Sequence, residues 1–197
     1  MQGGRALIIT DRLIDTRRYH HTMEAVTWET SEIRRWLNGE FIARFSPSDQ
    51  ARIAQTYVVN NNNPWDFSDW WGGHVSTPGG RNTWDRIFLL SIDEVLQHFG
   101  DSGLVARGAA MGASARDSDA TQGLSSFRIV DQFNGARIER DLQGSASSWW
   151  WLRSPGSDPY HAAIIDIDGS LTMSGGTAFR EEVGYGGGVR PALWLYL

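Results

Sequence analysis

Apolar residues in this chain fall into short runs, and the spacing within each run predicts an element. Residues 6–9 form a brief apolar run that predicts a strand. From about Thr30, Ile33, Trp36, Leu37 and Phe41 recur at the three-and-four spacing of one buried helix face. Asn38-Gly39 interrupts that face and predicts a cap or kink. Ser46-Pro47-Ser48-Asp49 predicts the start of a second helix, running to about Gln55. Ser46 caps it, Pro47 suits its first turn and Asp49 completes a capping box. Residues 57–59 and 87–90 read as strands. Ser91 then caps a short helix, with Glu94 at its third position and Gly100 just past its end.

Residues 60–85 have no period; Asn, Gly, Pro and Trp dominate, which predicts a long loop, either functional or disordered. Residues 101–126 read as loop with one helical turn, and 127–130 as a strand. From 149 onward the pattern is strand and turn, with strands expected at 149–153, 162–167, 170–173 and 189–196. Asp168-Gly169 suits a type I′ hairpin turn, and the glycines at 186–188 mark a bend before the last strand. No internal repeat at a fixed period is visible. Helices early and antiparallel strands late make this an α+β chain. A length of 197 residues makes one domain spanning 1–197 the default.

Composition removes whole classes of chemistry. There is no Cys, so no disulfide frame, thiolate nucleophile or thiolate metal site exists. All 18 basic positions are Arg, so no Schiff-base or P-loop lysine exists either. A net charge of -5 argues against nucleic acid as a partner. No apolar run approaches the roughly 18 residues of a membrane span. MQGGRALIIT lacks the apolar region of a signal peptide, so neither membrane insertion nor a leader is expected in this chain.

The remaining candidate chemistry is dispersed. His20, His21, His74, His98 and His161 form no metal motif. Asp117-Ser118-Asp119 and Asp166-Ile167-Asp168-Gly169 alternate acids as calcium loops do, yet neither continues into a full ligand set. No GxGxxG stands between a strand and a helix. A pair of glycosidase carboxylates stays open, because its spacing is spatial. Tryptophan is more informative. Trp28, Trp36, Trp84, Trp150 and Trp194 lie in or beside predicted elements and are expected mostly in the core. Trp65, Trp70 and Trp71 sit in the polar 60–85 loop. There they either stack on sugars or anchor a protein partner, or the loop folds back and they cover the core. Trp149-Trp150-Trp151 cannot all face one way on a strand, so one of them is exposed or covered by another element.

Four ordered segments carry a family resemblance: TWETSEIRRWLNGEF (27–41), NTWDRIFLLSIDEV (82–95), WWLRSPG (150–156) and GVRPALWL (188–195). Together they resemble a bacterial family of uncharacterised domains that is C-type-lectin-like, akin to the formylglycine-generating-enzyme fold. The variable proteins of diversity-generating retroelements share that scaffold. The resemblance spans about residue 5 to the C-terminus. It implies that Arg153 and Arg190 are framework residues making fork-like hydrogen bonds. It also implies that the segment 157–185 matches the ligand-display stretch of the variable proteins. That stretch holds Ser157, Asp158, Pro159, Tyr160, His161, Ile164, Asp166, Ile167, Asp168, Thr172, Ser174, Thr177, Phe179, Arg180 and Tyr185. Ile164 and Ile167 stand where polar or aromatic outward residues are expected, either as part of a binding face or as a packing difference.

Formylglycine generation needs an active-site cysteine pair, so that activity does not carry over to this Cys-free chain. The expectation is therefore a non-enzymatic recognition domain that binds a protein or glycan ligand on a cell surface or phage particle. Trp65, Trp70 and Trp71 would flank its display segment. The alternatives are a carbohydrate-active hydrolase using two carboxylates and a structural module of a surface assembly. No cofactor is expected; calcium stays open because lectin-like folds often bind it and the loops are oxygen-rich.

Overall fold

The computed structural model describes residues 4–68, 74–111, 123–125, 127–179 and 187–197. Strand β1 (Arg5–Ile9) and the short β2 (Asp15–Arg17) come first. Helix α1 (Glu32–Trp36) follows, N-capped by Ser31, and buries Ile33 and Trp36. At Asn38-Gly39 the chain does not stop. It widens into a π-turn over Leu37–Phe41 and tightens into a 3-10 turn over Ile42–Arg44. The predicted kink is thus a change of helical winding. Leu37 and Ile42 stay buried throughout.

Helix α2 (Pro47–Arg52) starts with the predicted cap, the Ser46 hydroxyl accepting from the Asp49 N–H at 3.1 Å with Pro47 in the first turn. The predicted capping box does not close, because the Asp49 carboxylate accepts from the Ser46 hydroxyl and not from its N–H. It ends at Arg52 rather than Gln55, because Ile53 turns extended and bridges to Leu195. Next come β3 (Thr56–Val58), β4 (Asp66–Ser68), β5 (His74–Ser76), β6 (Thr83–Asp85) and β7 (Ile87–Leu89). The expected 60–85 loop therefore contains the paired strands β4 and β5. Helix α3 (Ile92–Phe99) has the predicted capping box: the Ser91 hydroxyl accepts from the Glu94 N–H, and the Glu94 carboxylate accepts from the Ser91 N–H. Gly100, at φ 118, closes it. In place of one turn, α4 (Leu104–Ala110) forms a regular helix that buries Val105 and Gly108.

The C-terminal half supplies β8 (Leu124–Ser125), β9 (Arg128–Ile129), a four-residue helix at Asn134–Arg137, β10 (Glu139–Arg140) and β11 (Ser147–Ser148). It continues with β12 (Trp150–Pro155), β13 (His161–Ile165), β14 (Leu171–Thr177), β15 (Gly187–Val189) and β16 (Pro191–Tyr196). Two sheets organise the molecule. One has the order β1-β16-β7, so the first and last strands pair, from Arg5 opposite Tyr196 to Ile9 opposite Ala192. The other has seven strands in the order β2-β15-β12-β13-β14-β9-β8, antiparallel except where β12 meets β15.

β12 is buried along its whole length, which explains its continuous WWLRSP run. Trp150 and Trp151 are fully buried on its two faces. Trp150 lies near Phe99 and Trp151 lies against Tyr19, while half-buried Trp149 meets Trp151 edge-on at 4.7 Å. A second element thus covers each side. Arg153 and Arg190 are framework residues as expected. Arg153 donates to the Leu89 and Val59 carbonyls and forks onto Glu94. Arg190 donates to the Thr10 carbonyl, pairs with Glu139 and lies over the Phe99 and Trp150 rings. An α+β architecture is established; no helix among the described residues is long and apolar enough to cross a membrane.

Candidate functional site

The predicted display segment folds as the β13–β14 hairpin and its approaches. Gly156 enters it by donating to the His161 carbonyl, and Ser157 donates to the Ser174 carbonyl. Asp158 then organises a tight turn. Its Oδ1 accepts from the Tyr160 N–H at 2.8 Å, and its carbonyl accepts from the His161 N–H at 3.1 Å. The turn brings three side chains into line. Asp158 Oδ1 lies 2.7 Å from His161 Nδ1, and His161 Nε2 lies 3.2 Å from Thr177 Oγ1. His161 and Thr177 are direct partners across the strands. The tautomer that donates from Nδ1 to Asp158 leaves Nε2 to accept the Thr177 hydroxyl. Next to this string Tyr160 and Phe179 meet edge-to-face at 6.4 Å, with Tyr160 39% exposed.

A glycine sets the hairpin's shape. Gly175 has φ 79, and a Cβ there would stand 2.0 Å from the Ala162 carbonyl oxygen. The register shifts between Ala162 and Ile164 at this point. At the far tip, Gly169 donates to the Asp166 carbonyl and Asp166 donates to the Ser170 carbonyl. Gly169 has φ 77, and Asp168 is not in the left-handed region. The turn is therefore an ordinary turn closed by a left-handed glycine, not the predicted type I′, which needs positive φ at both central residues.

The tip acids are neutralised within the chain. Arg128 Nη2 lies 3.2 Å from Asp166 and 2.9 Å from Asp168. Partial burial disfavours the charged form of Asp168. Hydrogen bonds from Ser170, with the Arg128 guanidinium, outweigh that and hold its carboxyl below the usual range. The guanidinium occupies the position between the two acids that a cation would take. Among the described residues, no group of three or more His, Asp or Glu is arranged to hold a metal ion.

Several expected site residues lie elsewhere. Thr172 is buried between its cross-strand partners Ile164 and Arg128, and its hydroxyl has no hydrogen-bond partner among the described residues. Ile164 is half-buried and packs against the core, so its apolar character is a packing feature. Ser174 is half-buried, whereas Ile167 is exposed at the hairpin tip. Trp65 is not displayed at all. It is fully buried, donates from Nε1 to the Val105 carbonyl at 2.9 Å, and rests on Gly108. The loop around it folds back, as one of the two sequence readings allowed. Trp70, Trp71, Arg180 and Tyr185 lie outside the described residues, as do Asp117, Ser118 and Asp119.

Two features escaped the sequence reading. Asn63, buried, donates to the carbonyls of Pro155, Gly156 and Met173, and so ties the 60s segment to the base of the hairpin. No local pattern distinguishes it from its neighbours Asn60 to Asn62. Trp84, expected in the core, is 61% exposed and pairs with exposed Tyr57. Its strand alternates, with Thr83 and Asp85 inward, a signal visible in the sequence only once the strand is placed.

A family model matches residues 3–197, nearly the whole chain. The protein belongs to the family described as the domain of unknown function DUF6273. No curated protein and no solved structure matches this DUF6273 domain.

Proposed function

We propose that this DUF6273 domain is a non-enzymatic ligand-recognition module of C-type-lectin-like fold. It displays the 157–179 surface to a protein or glycan on a cell or phage surface, as retroelement variable proteins do. The observation that carries this reading is the Tyr160–Phe179 pair beside the Asp158–His161–Thr177 string. Edge-to-face rings give a rigid apolar contact, and the string beside it offers oriented polar atoms. Pairing of the first and last strands supports the fold assignment. A glycan and protein binding screen tests the reading. Tyr160→Ala and His161→Ala should each lower affinity for the ligand about tenfold, and binding indifferent to both would sink it.

A second reading is enzymatic. Hydroxyl, imidazole and carboxylate stand in the order of a nucleophile activated by a general base. An aryl acetate would then acylate Thr177, the hydroxyl proton passing to His161 and from it to the departing phenolate. Mass spectrometry of the intact chain distinguishes the two. The recognition reading expects no acyl adduct, and an adduct abolished by Thr177→Val would favour the enzyme. A two-carboxylate hydrolase has less support, because Asp166 and Asp168 share one guanidinium rather than facing each other across a substrate cleft.

A further inference from the structure

A groove of about 730 Å³ lies between α3, the β3–β6 pair and the β1-β16-β7 sheet, and shares no lining residue with the 157–179 surface. Its volume falls within the range of small-molecule sites. Three accessible Tyr and Trp rings line it, together with buried Phe88. Tyr57 and Trp84 are directly opposed across β3 and β6, with centroids 5.2 Å apart, and they are 52% and 61% exposed. Trp194 is the third, with the Arg5 guanidinium 5.9 Å from its ring. A cross-strand pair supplies only a small part of what burying the same rings would. Sheet stability therefore does not account for two large rings left in water.

The platform is rigid. Asp85, next to Trp84 and buried, accepts from Trp28 Nε1, the Thr83 hydroxyl and Arg34 Nε. The Tyr57 hydroxyl accepts from Asn82 Nδ2 at 3.1 Å. The side chains of Gln55, Gln97 and His98 line the same groove and make no hydrogen bond among the described residues. Exposed rings are thus interleaved with unengaged amides and an imidazole. A protein hot spot is instead a water-excluded centre ringed by near-neutral contacts. The lining's one carboxylate, Glu94, is held by Arg153, and its one guanidinium, Arg5, lies by Trp194. No row of free cations is present to follow a phosphate backbone.

We propose that this groove binds a neutral oligosaccharide. Its pyranose C–H faces stack on Tyr57 and Trp84, and its hydroxyls bond Gln55, Gln97 and His98. The proposal stands independently of the reading for the 157–179 surface. The full chain would be titrated with cellohexaose, chitohexaose, maltohexaose and mannohexaose by calorimetry and tryptophan fluorescence. At least one should bind, with quenching that is lost in Trp84→Ala. Affinity should fall about tenfold in Trp84→Ala and several-fold in Gln97→Ala, and stay unchanged in Met23→Ala, an exposed residue outside the groove. Trp84 and Gln97 are exposed, so both variants should keep the wild-type circular dichroism spectrum. The proposal is overturned if no sugar binds, or if binding survives both groove variants, or if Met23→Ala weakens it equally.

Discussion

Arg153 of β12 grips the carboxylate of Glu94 in α3 with both terminal guanidinium nitrogens. The same carboxylate accepts from the Ser91 N–H and so closes the helix cap. One acid thus caps a helix and anchors that helix to a fully buried interior strand of the larger sheet. Removing Arg153 would take its N–H donors from the Leu89 and Val59 carbonyls and strip Glu94 of its guanidinium partner. Breaking a buried pair in this way costs about 3–5 kcal/mol. Arg153→Ala should lower the unfolding free energy by that amount in urea titration, and Arg153→Lys should recover only part of it, because lysine has no fork.

Asn63 is the corresponding anchor for the display hairpin. Asn63→Ala leaves three buried carbonyls short of a donor, a loss of about 2–3 kcal/mol. Asn63→Asp should be worse at neutral pH, since it sets a carboxylate against those carbonyls. Urea unfolding of the two variants, compared at pH 7 and pH 4, checks the order.

Gly108→Ala tests the burial of Trp65. A Cβ at 108 would stand 2.4 Å from the Trp65 ring, and overpacking of this kind costs about 1–3 kcal/mol. Thermal melts should show the loss, and near-ultraviolet circular dichroism should report a displaced indole. An unchanged near-ultraviolet spectrum would mean that Trp65 does not rest on α4.

Stability should depend on acid in a defined direction. Hydrogen bonds from His20 and Thr22 hold Glu24 below the usual range, those from Ser145 hold Asp141 there, and Asp168 is also lowered. A folded-state pKa below the unfolded value contributes stability above the unfolded value, and loses it as pH falls through the folded one. The fold should therefore weaken steadily below about pH 4. Glu139 works the other way: burial outweighs its partner Arg190 and raises its pKa. Its contribution declines as pH rises from the unfolded pKa through the raised one. Glu139→Gln should flatten that decline, and Asp168→Asn should flatten the acid limb, both readable from denaturation midpoints across pH 2–7.

The sequence by itself determined the elements whose signals are local. The Ser46 and Ser91 caps, the Ile33–Trp36 face and the buried β12 run each depend on neighbours within a few residues, and each formed where the pattern placed it. Arg153 and Arg190 were legible as framework residues through the motifs around them. Tertiary structure decided the rest. Trp65 went inward and Trp84 outward because burial depends on what lies across the chain. For Trp65 that is Gly108, and for Trp84 it is a strand whose alternate residues Thr83 and Asp85 take the inner face. The candidate site shows the same division. Asp158, His161 and Thr177 were all named from the sequence, yet their order in space comes from the β13–β14 register. A register is a long-range pairing, and no local spacing along the chain specifies it.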